Sequence, residues 1–346
     1  MKNILITGGC GFIGSNFVNH IVKSGEFHPI ILDKLTYAGN KNNIKNIHNS
    51  DYTFIKGDIC DEKTVLTVFN NYRLNAVFHF AAESHVDRSI DGPKDFIYTN
   101  IIGTYNLLQG VREFSKKLSD EFKFIHVSTD EVYGDLEEDG FFKESTPYNP
   151  SSPYSASKAS SDHLVRAWGK TFNIPTIITN CSNNYGPYQF PEKLIPLMII
   201  NCLEWKPLPV YGNGQNIRDW LYVSDHCSAL EKIYKRAKIN ETYNIGGNNE
   251  IKNIDIVKII CNELNKIKPS PNGDYKQLIK FVEDRPGHDF RYAIDSSKIK
   301  SQIGWEPKES FNSGIRRTIN WYIKNQKWWK NIQKNKYNQE RLGFKG

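Results

Sequence analysis

Tyr154 and Lys158 open a segment of helical period and stand four residues apart, so their side chains share one face of the predicted helix. An ammonium beside a tyrosine stabilises the tyrosinate and lowers the pKa of the phenol, which can then take a proton from a substrate hydroxyl. Thr129, which follows a predicted strand 25 residues earlier, can hydrogen-bond the same hydroxyl. These three residues predict an acid–base site.

Two carboxylates, Asp130 and Glu131, come directly after Thr129. Adjacent carboxyl groups can supply both a general acid and a general base. The alternative is that they only cap the following segment. We favour the catalytic interpretation because Ser128 to Glu131 offer more polar groups than one cap needs.

Glycines 8, 11 and 14 follow the first predicted strand as G-x-x-G-x-x-G and open the first predicted helix. Without side chains, they let the pyrophosphate of a dinucleotide approach backbone N–H groups at a helix N-terminus, where the dipole favours negative charge. Asp33 lies 19 residues past Gly14, at the end of the second predicted strand. A carboxylate there accepts hydrogen bonds from both ribose hydroxyls and repels a 2′-phosphate, so we predict NAD as the cofactor.

Short β-branched runs alternate with helical segments through the first half of the chain, which predicts a parallel sheet with crossover helices. We predict an α/β fold with a doubly wound, Rossmann-type domain over residues 1–180, rejoined by about residues 219–246. A smaller domain, which shapes a substrate pocket, is predicted over 181–346. The predicted strands are Asn3–Thr7, Pro29–Leu32, Tyr52–Lys56, Ala76–Phe80, Phe122–Val127, Thr176–Asn180 and Thr242–Ile245. The predicted helices begin near Ile13, Glu62, Asp95 and Tyr154, and later cover Asn253–Leu264 and Phe311–Ile323.

The composition excludes several classes of protein. The chain of 346 residues has a net charge of +7. Residues 324–346 contain six Lys, one Arg and one Glu and carry most of this charge, so the rest of the chain is close to neutral. This distribution argues against a broad nucleic-acid-binding face, and we interpret the basic end as a solvated terminal helix. Because no apolar run is long enough to span a bilayer and no targeting segment precedes the first strand, we expect a cytoplasmic protein without membrane partners. Six cysteines without zinc spacing predict buried thiols and no metal site.

Several unusual segments together make the sequence similar to the extended short-chain dehydrogenase/reductase superfamily and, within it, to the family of dTDP-glucose 4,6-dehydratases. The resemblance runs nearly end to end. It is carried by Thr7–Ser15, Asp33–Asn40, Phe80–Ser89, Ser128–Gly134, Tyr154–Lys158, Cys181–Pro196 and Asp284–Asp289. Cys10 stands where the family usually has alanine, a departure that concerns only the tightness of the glycine turn.

The resemblance implies an NAD-dependent lyase that converts dTDP-glucose to dTDP-4-keto-6-deoxyglucose and water. Tyr154, assisted by Lys158 and Thr129, would deprotonate the 4-hydroxyl while hydride moves to NAD. Glu131 would then remove the C5 proton, Asp130 would protonate the departing C6 hydroxyl, and hydride would return to C6. The cycle is redox-neutral, so the cofactor can stay bound. Such products feed L-rhamnose and other deoxysugars, among which the sequence does not choose.

The resemblance also implies the cofactor contacts. Asp58 and Ile59 follow the third predicted strand and would fall beside the adenine, with a helix cap as the alternative for Asp58. The full set of predicted NAD contacts is Gly8, Gly11, Phe12, Ile13, Gly14, Asp33, Lys34, Leu35, Thr36, Asp58, Ile59, Phe80, Ala81, Ala82, Ser84, Thr99, Tyr154, Lys158 and Asn184.

A second set of contacts is implied for the nucleotide sugar. Arg218 and Arg285 each offer a planar fork to a pyrophosphate, and Tyr211 brings an aromatic ring beside a pyrimidine. The alternatives are a surface ion pair between Arg218 and Asp219 and a simple turn at Asn183–Asn184. The full set of predicted substrate contacts is Ser84, His85, Thr129, Asn183, Lys193, Leu194, Pro209, Val210, Tyr211, Arg218, Asn253, Asp284, Arg285 and His288.

Other functions of the same fold remain open. A UDP-glucose 4,6-dehydratase differs in its substrate by one methyl group, and a contact of that size is worth only ~1–3 kcal/mol. GDP-mannose dehydratases and sugar epimerases are further alternatives, although the epimerases lack the acidic pair of Asp130 and Glu131. A non-catalytic NAD-binding regulator would be expected to lose the catalytic residues, which are present here.

A homodimer is implied by the resemblance, packed through the helices after Asp95 and from Tyr154. Apolar and aromatic residues on these helices could form the contact between two copies. Phe96, Trp168 and Phe172 are the candidates, although they could equally belong to the core.

Overall fold

The computed structural model describes residues 1–136 and 139–337. The strands are β1 (Lys2–Thr7), β2 (Phe27–Asp33), β3 (Thr53–Lys56), β4 (Ala76–His79), β5 (Lys123–Thr129), β6 (Thr176–Cys181), β7 (Asn183–Tyr185), β8 (Leu208–Tyr211), β9 (Ile217–Tyr222), β10 (Glu241–Ile245), β11 (Glu250–Lys252) and β12 (Ile279–Val282). The α-helices are α1 (Phe12–Val22), α2 (Glu62–Asn71), α3 (Val86–Asp91), α4 (Pro93–Phe96), α5 (Gly103–Glu113), α6 (Pro153–Phe172), α7 (Leu194–Leu203), α8 (Val223–Arg236), α9 (Asn253–Ile267), α10 (Ser297–Ile303), α11 (Phe311–Lys324) and α12 (Gln326–Asn335).

A seven-stranded parallel sheet forms the centre of the molecule, in the order β10-β6-β5-β4-β1-β2-β3. The chain builds outward in one direction from β1 to β3 and then in the other from β4 to β10. Ligands of doubly wound sheets bind beyond the carboxyl ends of the strands where the order reverses, which is here the crevice between β1 and β4. The predicted doubly wound α/β fold is confirmed.

Apolar side chains project from both faces of this sheet. Ile4 and Ile6 of β1 pack into a core with α1 and α8, whereas Leu5 between them packs into a second core with α2, α5 and α6. Burial on both faces explains why the strands are apolar at consecutive positions. The predicted return of residues 242–245 is confirmed, because β10 pairs with β6 at the edge of the sheet.

A third hydrophobic core joins many of the elements after residue 181. It is formed mainly by α7, α9 and α11 packed against β8 and β9. Small sheets border it, one of order β11-β9-β7 and one pairing β12 with β8. Asn183–Asn184 therefore begin a strand that pairs with β9, so the alternative of a simple turn is wrong.

Element boundaries differ from the predictions where pairing extends a strand past its apolar residues. β5 continues through Ser128 and Thr129, because these residues pair with Asn180 and Cys181 of β6. The helix predicted from Asp95 begins at Pro93 and is interrupted by a π-helical stretch over Ile97–Ile102. Within the described residues, no helix combines the length and the apolarity needed to cross a membrane.

Candidate active site

The glycine loop between β1 and α1 is packed too closely for side chains. A Cβ on Gly8, whose φ is +69°, would lie 2.7 Å from the backbone nitrogen of Ala81, and one on Gly14 would lie 2.3 Å from the carbonyl oxygen of Gly8. Gly11 is the N-cap of α1 and has no side chain to cover the free N–H groups of the first turn. These residues leave a cradle at a helix N-terminus that fits the pyrophosphate of NAD.

Replacing Gly14 by alanine should therefore push α1 away from Gly8 and spoil the cradle. We expect a loss of about 1–3 kcal/mol in the free energy of unfolding and at least about tenfold weaker NAD binding. Urea unfolding and the NAD content of the purified variant measure the two effects. Gly92→Ala is the matched control, because a Cβ there would lie 3.9 Å from its nearest neighbour, the carbonyl oxygen of Arg88. Equal loss of NAD from both variants would contradict the prediction.

Asp33 ends β2 at the rim of the cavity and is 7% exposed. Its Oδ2 accepts from the backbone N–H of Cys10 at 2.8 Å, and its Oδ1 accepts from that of Leu35 at 2.7 Å. Burial raises the pKa of Asp33, and these two bonds oppose the rise. Leu35 itself packs its side chain on the core beside α1, so its predicted contact with the cofactor cavity is not found.

All the other predicted cofactor residues line one continuous cavity at the carboxyl end of the sheet. Asp58 is held there by an ion pair with Lys34, whose Nζ lies 2.7 Å from Asp58 Oδ2. The cap of α2 is Asp61, so the alternative of Asp58 as that cap is wrong. The residues at this end of the cavity are Gly8, Gly11, Phe12, Ile13, Gly14, Asp33, Lys34, Thr36, Asp58 and Ile59, and those towards its centre are Phe80, Ala81, Ala82, Ser84, Thr99, Tyr154, Lys158 and Asn184.

Thr129 organises the two carboxylates that follow it. Its hydroxyl accepts from the backbone N–H of Glu131 at 3.3 Å and so caps the short 3₁₀ turn Asp130–Tyr133. The cap is therefore Thr129, and the alternative in which Asp130 and Glu131 serve only as caps is wrong. Both carboxyl side chains line the cavity, and Asp130 Oδ1 accepts from the Thr129 hydroxyl at 3.3 Å.

The environments of the two carboxyl groups differ. Asp130 is 1% exposed, and its Oδ2 has no hydrogen-bond partner in the described part of the chain. Burial and the neighbouring Glu131 raise the pKa of Asp130 well above its usual range. Burial also raises the pKa of Glu131, but the positive charges of Arg285 and Lys193 oppose that rise. The rise in the pKa of Asp130 is thus increased by a neighbouring carboxylate, whereas the rise in that of Glu131 is opposed by neighbouring cations, a difference of the kind that separates a general acid from a general base.

The tyrosine and the lysine lie in the first turns of α6, which starts at Pro153 behind a capping box between Ser152 and Ser155. Lys158 is buried, and its Nζ donates to the carbonyl oxygen of Val127 at 2.9 Å. The expected lowering of the Tyr154 pKa is wrong for the protein alone. Burial and the negative charge of Glu131 raise the pKa of Tyr154 well above its usual range, and a hydrogen bond with Thr129 opposes the rise.

The predicted substrate residues line a second cavity, which shares Glu131, Asn183, Asn184 and Lys193 with the first. The two cavities therefore meet beside Glu131. The further predicted residues around the second cavity are His85, Leu194, Pro209, Val210, Tyr211, Arg218, Asn253, Arg285 and His288, while Ser84 and Thr129 line the first. Asp284 lies outside both linings and instead binds His288, with 2.6 Å between its Oδ1 and the ring Nδ1.

The two arginines differ in what they can offer a phosphate. Arg218 is buried, and its guanidinium donates to the carbonyl oxygens of Ile217, Asp289 and Phe290, so it presents charge to the cavity rather than a free fork. Arg285 pairs through one nitrogen with Asp87, and its buried Nε has no partner among the described residues. That N–H is a donor available to an anionic ligand.

The alternative of a surface ion pair between Arg218 and Asp219 is wrong, because both side chains are buried and make different contacts. The carboxylate of Asp219 accepts from the backbone N–H groups of Gly247 and Asn249 at 2.8 and 2.6 Å. It thereby fixes the turn that follows β10.

Comparison with known proteins places this geometry in a family. A family model described as GDP-mannose 4,6 dehydratase matches residues 5–318. The chain is 55% identical over 358 residues to dTDP-glucose 4,6-dehydratase of Escherichia coli and 55% identical over 352 residues to that of Neisseria meningitidis serogroup B, with 99% of both chains covered in each case. The chain belongs to the dTDP-glucose 4,6-dehydratase family. The crystal structure of dTDP-glucose 4,6-dehydratase from Bacillus anthracis in complex with NAD is similar to this chain, with a TM-score of 0.86 and 47% sequence identity. The match covers 96% of this chain and 100% of the Bacillus anthracis chain.

This member of the dTDP-glucose 4,6-dehydratase family has cavity residues that sequence reasoning missed. Tyr37, Glu83 and Phe190 line the first cavity, Asp87 lines the second, and Glu192 lines both. All five lie inside the segments that carry the family resemblance, which was the available signal. Their roles are not apparent from residue type, because each acts through partners that are distant in the sequence.

Proposed function

We propose that this chain converts dTDP-glucose to dTDP-4-keto-6-deoxyglucose and water, with NAD as its cofactor. The observation that carries the proposal is the position of Glu131 and Asp130 where a dinucleotide cavity meets a second cavity, beside Tyr154 and Lys158. Full-length identity of 55% to dTDP-glucose 4,6-dehydratases supports the same substrate.

Each catalytic residue has one step in this reaction. When NAD is bound, it supplies the group that accepts a hydride from C4 and later returns that hydride to C6. Tyr154 takes the proton of the 4-hydroxyl, which Thr129 orients, and the Lys158 ammonium favours the phenolate once substrate and cofactor are in place. Glu131 removes the C5 proton, which the 4-ketone acidifies, and Asp130 protonates the C6 oxygen as it leaves. C5 is reprotonated when C6 receives its hydride.

The acid side of the pH–rate profile should report Glu131, because a protonated glutamate cannot accept the C5 proton. Burial raises the pKa of Glu131, so activity should fall with decreasing pH at a higher pH than for an exposed glutamate. The charge of Lys193 lowers that pKa, so Lys193→Met should move the acid limb to still higher pH. Product formation measured against pH tests this, with the exposed Lys143→Met as control. An unmoved limb in Lys193→Met would count against Glu131 as the base.

The substrate is tested by incubating the purified protein, without added cofactor, with dTDP-glucose or UDP-glucose in deuterated water. We expect loss of water from dTDP-glucose with deuterium at C5. A preference for UDP-glucose would overturn the substrate and keep the mechanism. No turnover of either, even with added NAD, would revive the epimerase and regulator alternatives.

The division of the chain into two functional parts follows from the two cavities. We infer that residues 1–180, rejoined by about 219–246, hold the cofactor and that residues 181–346 supply most of the nucleotide-sugar site. Residues 338–346 of the second part lie outside the described residues.

A cytoplasmic location is proposed with the function, and cell fractionation tests it.

A homodimer is proposed on the apolar surface of the helices that follow Asp95 and of α6. Ile97, Tyr98 and Ile102 are 44, 54 and 40% exposed, and Phe172 of α6 is 37% exposed. Phe96, considered with them, is buried against Tyr154 and belongs to the core. Exposed apolar groups of this density are typical of contacts between protein copies.

Analytical ultracentrifugation of the purified chain should give the mass of two copies. Tyr98→Glu places a charge in the apolar surface and should shift the equilibrium to single chains by at least about tenfold. Ile239→Glu, at a site 50% exposed between α8 and β10, should leave the mass unchanged. A parent protein with the mass of one chain would refute the dimer.

A further inference from the structure

The C-terminal helix lies against the loop that carries Asp33, although the two are about 300 residues apart in sequence. We call residues 33–43 the cofactor loop, and α12 with Lys336 and Tyr337 the C-terminal clamp. Lys336 Nζ donates to the carbonyl oxygens of Thr36 at 3.0 Å and of Gly39 at 2.9 Å. Thr36 and Gly39 both line the first cavity. The ammonium thus joins two points of the cofactor loop and fixes its curvature.

A second connection runs from α12 to the glycine loop. Trp328 Nε1 donates to Asn43 Oδ1 at 2.8 Å, and Asn43 Nδ2 donates to the carbonyl oxygen of Cys10 at 3.0 Å. The N–H of Cys10 in turn donates to Asp33 Oδ2 at 2.8 Å. Asn43 is 2% exposed, so these bonds are shielded from water. The clamp is therefore linked by hydrogen bonds to the residues predicted to hold both the pyrophosphate and the ribose of NAD.

Aromatic contacts close the same side of the cavity. Tyr337 packs on Phe190, and Phe190 packs edge-on against Tyr37 with 5.3 Å between ring centroids. The guanidinium of Arg88 lies 4.0 Å from the centre of the Tyr37 ring, and Arg88 is held by an ion pair with Glu192 at 2.8 Å. Tyr37 and Phe190 are cavity residues, so the clamp packs on the outer wall of the cofactor site.

We propose that the C-terminal clamp retains NAD on the enzyme between turnovers, with Lys336 and Trp328 as positioning residues. A cofactor held by a surface loop leaves when that loop opens, and loops open locally at low cost unless packing and hydrogen bonds hold them. The clamp supplies such bonds at Thr36, Gly39 and Asn43 of the cofactor loop. Retention suits a redox-neutral cycle in which the cofactor need never leave, so the inference rests on the proposed function. It also replaces our interpretation of the basic end as merely solvated, because Lys336 is engaged.

The test is the rate at which NAD dissociates from full-length protein. The NAD-loaded enzyme is mixed with excess ADP-ribose to prevent rebinding, desalted after increasing times, and the NAD that remains bound is measured by chromatography after denaturation. Lys336→Met keeps the aliphatic stem but loses the ammonium, and Trp328→Phe loses the N–H donor. We expect each to release NAD about tenfold faster, as for the loss of a hydrogen bond of this kind. Activity should show the same change as a raised NAD concentration for half-maximal rate rather than as a lower rate at saturation.

Lys334→Met is the matched control, because Lys334 is exposed on the same helix two residues from Lys336 and should leave NAD release unchanged. Unchanged release in Lys336→Met, or equal acceleration in Lys334→Met, would overturn the clamp. If Trp328→Phe disturbs folding, Lys336→Met decides alone, since its side chain is at the surface. A parent protein that retains NAD but does not convert dTDP-glucose would refute the proposed substrate and leave the clamp standing.

Discussion

Glu131→Gln is expected to slow the formation of dTDP-4-keto-6-deoxyglucose by ~10²–10⁴-fold, the usual worth of a general base. The amide has nearly the same shape as the carboxylate but cannot accept the C5 proton. Because the glycine loop and Asp33 are untouched, the variant should keep its NAD. It should also still oxidise C4, so that reduced nicotinamide accumulates when dTDP-glucose is added. Stopped-flow absorbance and chromatographic product analysis separate these two steps.

Asp130→Asn is the companion variant for this experiment. It leaves the C5 base in place, so exchange of the C5 proton with deuterated solvent should continue while loss of the C6 hydroxyl slows. Glu131→Gln should lose that exchange. If Glu131→Gln kept full turnover with its fold intact, Glu131 would not be the base.

Tyr154→Phe is expected to have the second large effect, because it removes the group that takes the proton of the 4-hydroxyl. We expect product formation to fall by at least ~10²–10⁴-fold. The block should precede hydride transfer, so reduced nicotinamide should not appear on mixing with dTDP-glucose. That absence distinguishes Tyr154→Phe from Glu131→Gln.

Tyr105→Phe is a matched control for loss of a phenol, since Tyr105 is 36% exposed and lies outside both cavities. It should turn over as the parent does. Accumulation of reduced nicotinamide in Tyr154→Phe would assign the first proton transfer to another group.

The raised pKa of Tyr154 changes how its activation is understood. Burial and the negative charge of Glu131 raise the pKa of this phenol in the protein without substrate or cofactor. The Lys158 ammonium is kept close to β5 by Val127 and near the buried carboxylate of Asp162. We infer that ionisation accompanies binding of the substrate and the oxidised cofactor, whose nicotinamide ring carries a positive charge. This coupling would prevent idle proton transfer before the site is filled.

The doubly wound sheet could be predicted from the sequence, because the patterns that indicate it are local. Strand and helix periods, a glycine loop after β1, and the four-residue spacing of Tyr154 and Lys158 all act within one element or between neighbouring ones. The predicted cofactor residues line the cavity with the exception of Leu35, whose side chain turned out to face the core. Local spacing says that a residue follows a strand, but it does not say on which side of the backbone its side chain lies.

Contacts between residues that are distant in the sequence become visible only in the folded protein. Arg285 pairs with Asp87 across 198 positions, and Lys336 reaches Thr36 across 300. Glu131 became the junction of two cavities because β5 ends where the substrate-binding elements fold back over the sheet. Such contacts produce no periodic pattern in the sequence. Each depends on how whole helices and strands pack together and not on the spacing of residues along one of them. For the same reason the basic C-terminal end could be counted from the sequence, while its contact with the cofactor loop could not.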